Sequence, residues 1–106
     1  MKTYVNEATT NLRARVQTLA DELDSIIHLC DTTLIALSHL NKEQFLEHLV
    51  NVAGTMACFL YIIEEKKALY EIMFHVYTGE CTPDIAKASI KKLRYELVKV
   101  RRLINL

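Results

Sequence analysis

Glycine and proline are nearly missing from this chain. Two Gly and one Pro occur in 106 residues, and there is no Trp. So few chain-turning residues leave room for few turns and favour long elements. Cysteine is scarce and odd in number, with Cys30, Cys58 and Cys81 and no CxxC pair. That argues against a disulfide framework or a zinc cluster and for a reducing, cytoplasmic location. Net charge is absent too, because 13 basic side chains balance 13 acidic ones. No apolar h-region opens the chain, so no secretory signal is read. The most apolar run, 49–63, is interrupted by Asn51, Gly54 and Thr55. It falls short of the roughly 20 residues that a membrane span needs.

What remains is apolar and periodic. Apolar residues make up 51% of the chain, which excludes a disordered class and suits one domain over 1–106. Over 6–40, Leu12, Val16, Leu19, Leu23, Ile26, Cys30, Thr33, Leu37 and Leu40 recur in steps of three and four. This is one helical stripe, with Asp21, Glu22, Asp24 and Asp31 off it. Asn41 is placed to cap a second helix over 42–78, with Gln44 at the capping-box position. That segment carries more than one apolar row, so it is expected to sit between neighbours. Thr78-Gly79 has the form of a helix end. Thr82-Pro83-Asp84 then opens a third helix over 83–104, with a cap residue, a proline at the first position and an acid in the first turn.

The fold class expected is all-α: an antiparallel bundle of three principal helices, with a long hairpin 6–40 / 42–78 and a shorter helix 83–104. Each hairpin arm is about 35 residues, or roughly 50 Å, against about 22 residues for the third helix. The third helix is then too short to cover the hairpin tip, which would expose more apolar surface than a monomer usually shows. A homodimer through the tip, in a four-helix association, would cover it. Ile27, Leu34, Ile35, Leu49, Val52 and Met56 are the expected interface. The alternative is a break near Asp31 or Gly54 that folds the tip back within one chain.

No polar constellation for catalysis converges in the sequence. Asp24 with His28, and Glu71 with His75, sit one helical turn apart, but the hairpin separates the two pairs. Glu43, Glu47, Glu64, Glu65 and Glu71 do not repeat at a spacing that would gather them around a hard cation, and Lys66 and Lys67 follow directly. Cys30 and Cys58 fall on or beside apolar stripes and read as small hydrophobes. Cys81, in the turn, is the thiol expected to be exposed. Neither catalytic residues, nor a metal, nor a cofactor is assigned.

The charge that balances overall is unevenly spread. Residues 83–106 hold seven basic and two acidic side chains. Lys87, Lys91, Arg94, Arg101 and Arg102 lie opposite or beside the core stripe of the last helix, with Tyr95 among them. Such a face can dock an acidic protein surface. It can also follow a phosphate backbone, with the aromatic stacking on a base. The leading expectation is a non-catalytic protein-binding module: an adaptor, inhibitor or regulatory subunit. The alternative is a nucleic-acid-binding regulator that uses the basic face.

Overall fold

The computed structural model describes residues 2–105, with side chains from Glu7 onward. All regular structure in it is helical: α1 (Lys2–Ser38), α2 (Lys42–Met56), α3 (Ile63–Thr78) and α4 (Pro83–Leu103). Among the described residues, no helix is long and apolar enough to cross a membrane.

Three of the helix ends follow from local chemistry. Asn41 Oδ1 accepts the N–H groups of Glu43 at 2.9 Å and Gln44 at 3.4 Å, so α2 starts there. Thr82 Oγ1 accepts the Ile85 N–H, and Pro83 follows at the first position of α4. Gly79 ends α3 in the left-handed region at φ 84°, where a Cβ would be strained. The Asp31-Thr32-Thr33 stretch does not interrupt α1. Thr32 and Thr33 both bond back to the Leu29 carbonyl, at 3.1 and 2.6 Å, which absorbs their hydroxyls inside the helix.

The expected second arm 42–78 is not one helix. It breaks over 57–62, and α3 turns back along α2. The break lies beyond Gly54, which stays inside α2 with open space where a Cβ would stand. Two side chains, one distant and one from the next helix, hold the corner. Glu22 of α1 accepts the backbone N–H groups of Leu60 and Tyr61. Lys66 of α3 donates to the carbonyls of Met56, the last residue of α2, and of Phe59 in the corner. Phe59 and Ile62 turn inward and are buried.

The result is a ring of four antiparallel helices in place of the expected three. α1 packs on α2 and α4, and α3 packs on the same two. Arg94 pairs with Asp31 and Arg101 with Asp24, so α4 descends as α1 climbs. Thr33 meets Met73 across the core. Leu23, Ile26, Leu69, Met73 and Ile90 are fully buried at the centre.

This arrangement overturns the reason for a dimer at the tip. α3 and α4 of the same chain cover it. Leu49, Val52 and Met56 lie inside the core, and Ile27 and Leu34 are half-buried against it. Of the six residues expected at that interface, Ile35 alone is exposed, at 63%. A partner could reach the buried three only by opening the bundle.

Candidate functional site

α2 and α3 each carry two apolar rows. The inner rows, Phe45, Leu49, Val52 and Met56 on α2 and Leu69, Met73 and Val76 on α3, fill the core. The outer rows are left over. On α2 the outer row is Leu46, Val50, Ala53 and Ala57. On α3 it is Ile63, Lys67, Tyr70 and Phe74, with the same four-three-four spacing. Helical periodicity turns both outer rows toward the seam between the two helices. The rows run for about 17 Å at 1.5 Å per residue, and they form a trough where Ala53 and Ala57 face Ile63, Lys67 and Tyr70.

A cavity of about 340 Å³ opens in this trough between Ala53, Ala57, Ile63, Lys67 and Tyr70. Val50 is 59% exposed, Ile63 54% and Phe74 43%. Small residues on the α2 side keep the floor low, while the rings of Tyr70 and Phe74 stack at 6.3 Å on the α3 side. The edges are charged. By helical spacing Glu43, Glu47, Glu64 and Glu71 flank the trough, and all four are exposed. Lys66 is engaged with the corner carbonyls, so Lys67 is the cation that faces outward. The edges are net acidic.

The basic face of α4 is partly neutralised. Arg94 Nε lies 2.6 Å from Asp31 Oδ1, and its Nη2 lies 3.4 Å from Oδ2. Arg101 Nε reaches Asp24 at 2.9 Å, and its Nη1 donates to the Ile104 carbonyl. Lys87 is half-buried. Lys91 and Arg102 remain exposed around Tyr95, with Lys99 added to them. Lys99 was not among the expected residues; its signal was its place one turn beyond Tyr95, over whose ring its ammonium lies, 5.3 Å from the centroid.

A third surface lies between α1 and α2, where Asp24, His28, Thr32, His48, Asn51 and Thr55 border a groove of about 590 Å³. His48 Nε2 is 2.9 Å from Thr33 Oγ1. The Thr33 hydroxyl has one proton and gives it to Leu29, so Thr33 accepts and His48 donates. Burial of the imidazole also holds its pKa below the ordinary 6.5, which keeps the ring neutral. Among the described residues, no group of three or more His, Cys, Asp or Glu side chains is placed to hold a metal ion.

The cysteines are distributed differently from expectation. Cys30 is buried, and burial first, then the Asp31 carboxylate, push its thiol up to about 12 against the opposing effect of Arg94. Cys58 is exposed because the corner 57–62 takes it off the helix. Cys81, expected to be the exposed thiol, is half-buried and donates to the Thr82 carbonyl. No family model matches the chain, and neither a curated protein nor a solved structure matches it.

Proposed function

We propose that the chain is a non-catalytic protein-binding module, an adaptor, inhibitor or regulatory subunit, whose α2/α3 trough receives an amphipathic helix from another protein. The observation that carries this reading is the outer apolar row. Val50, Ile63, Tyr70 and Phe74 lie outside the buried core; Ile63 and Tyr70 line the α2/α3 cavity, and Val50 and Phe74 extend the exposed apolar surface along the same two rows. Apolar rows three helical turns long suit anchors at i, i+3 or i+4 and i+7. Exposed aromatics beside small residues have the form of an interface centre, in which a few anchors carry most of the energy. The acidic edges select a partner helix with basic flanks.

The test is comparative capture of partners from native lysate by the wild-type chain and by Val50→Asp/Phe74→Asp. A specific partner retained by the wild type and lost by the variant, with both equally helical, supports the reading. A partner retained equally by both removes the trough from it.

A second reading, nucleic-acid binding, rests on Lys91, Lys99 and Arg102 around the exposed Tyr95. It requires retention on DNA or RNA at low salt, with affinity falling steeply as salt rises.

A further inference from the structure

The two ends of the bundle differ. The end with the 39–41 turn mixes exposed polar residues, Ser38, His39, Asn41 and Lys42 among them, with Leu40 and Ile85. The other end is apolar: Leu60, Tyr61, Val100 and Leu103 are all exposed there. α1 also runs past it. The pairs Arg94–Asp31 and Arg101–Asp24 set the register, and by that register α4 stops beside residue 22 of α1. Ala20 is still buried and Val16 half-buried, so the free part of the helix, from Arg15 back to Lys2, projects by about 20 Å at 1.5 Å per residue. This projection accounts for the 59 Å length of a molecule only 23 and 18 Å across.

The projecting helix keeps the stripe that the bundle buries further along. Leu12 and Val16 continue the line of Leu19, Leu23 and Ile26; Val16 is half-buried, but Leu12 is 61% exposed and Glu7 to Arg15 are all exposed. Isolated helices of this length are marginal in water, so an apolar seam left exposed at Leu12 calls for cover. At 100° per residue, Arg13 falls on one side of this seam and Arg15 on the other.

Beside the root of the projection lies a cleft of about 190 Å³, walled by Leu19, Leu23, Tyr61 and Val100. Two acids border it: Glu65 from α3 and Glu96 from α4. An apolar seam flanked by two arginines and an apolar cleft flanked by two glutamates are complementary in both chemistry and charge. They cannot meet within one chain. α1 is unbroken from Lys2 to Ser38, so Leu12 stands about 10 Å along the axis from Leu19 and cannot turn back.

We infer that the occupant of the cleft is the projecting helix of a second copy of this chain. Each copy offers one projection and one cleft at the same end, so a reciprocal exchange about a two-fold axis closes a dimer and leaves nothing to propagate. Leu12 and Val16 enter the partner's cleft, and Arg13 and Arg15 meet the partner's acids. This dimer uses the end opposite the expected hairpin tip and leaves the α2/α3 trough open.

Sedimentation of the full chain tests it. The wild type is expected to be a dimer. Arg13→Glu/Arg15→Glu and Glu65→Arg/Glu96→Arg are each expected to be monomeric, because like charges then face each other. Mixing the two variants is expected to give a heterodimer, since opposite charges meet at both exchanged contacts. Leu12→Asp, which leaves the acids and arginines in place, is expected to be monomeric with its helicity retained. A monomeric wild type at all concentrations overturns the inference. So does a dimer that survives Leu12→Asp, or two folded variants that stay monomeric when mixed.

Discussion

Glu22 accepts the backbone N–H of Leu60 at 2.7 Å, across 38 positions of sequence. The same oxygen takes the Tyr61 N–H at 3.0 Å. The carboxylate is buried, and its second oxygen has no hydrogen-bond partner among the described residues. One acid of α1 thus fixes the corner that separates α2 from α3. Hydrogen bonds to charged groups contribute more than neutral ones, and leaving buried N–H groups unpaired is costly. Glu22→Ala is expected to destabilise the fold by about 3 kcal/mol. Glu22→Gln keeps an acceptor oxygen and should lose less. Urea denaturation measures both, as a fall in midpoint at unchanged slope.

The His48–Thr33 contact makes stability depend on pH with a defined sign. Burial lowers the folded pKa of His48 below 6.5. Just below pH 6.5 the unfolded chain therefore binds a proton that the folded chain does not. Stability from this group is present above pH 6.5 and is lost as pH falls through the folded value. His48→Gln should flatten that acid slope. Thr33→Val leaves the His48 N–H without its acceptor and should destabilise the protein at neutral pH by about 1–3 kcal/mol. Denaturation across pH 5–8 separates the two effects, and an acid slope unchanged in His48→Gln would contradict the assignment.

Thiol reactivity should rank by position. Cys58, on the exposed corner, is expected to react first with a thiol reagent, Cys81 more slowly, and Cys30 only on unfolding. With the Cys30 thiol pushed up to about 12, the folded chain keeps its proton where the unfolded chain ionises, so stability falls as pH rises above 9. Mass spectrometry of time-resolved alkylation reads the order directly. Early labelling of Cys30 in the folded protein would show that the core opens locally.

Helix boundaries set by neighbouring residues were legible in the sequence. Asn41 and Thr82-Pro83 start helices, and Gly79 ends one, because each acts on backbone groups within a turn of itself. The corner at 57–62 was not legible. It holds no Gly or Pro, and it is stabilised by Glu22 from distant α1 and by Lys66 from the first turn of α3. Missing it turned four helices into three and placed Leu49, Val52 and Met56 on a surface instead of in the core. The basic residues of α4 were legible as a face, but not their partners. Asp31 and Asp24 meet Arg94 and Arg101 only once the α1/α4 register exists. The second apolar row on 42–78 was visible as an excess of apolar surface, and its place in the α2/α3 trough follows from the break.

That excess gives a direct test of which row faces inward. Leu49 and Met73 point into the core, while Val50 and Phe74, each one position further on, are exposed on the outer rows that carry the trough. Leu49→Ala and Met73→Ala leave cavities and should each cost about 2–5 kcal/mol. Val50→Ser and Phe74→Ser remove side chains that the core does not use and should change stability by about 0.5 kcal/mol or less. Partner binding should respond in the opposite sense, with the trough variants losing it while they melt like the wild type. If Phe74→Ser destabilised the protein as much as Met73→Ala, the outer row would be serving the fold, and the trough would lose its claim as a binding surface.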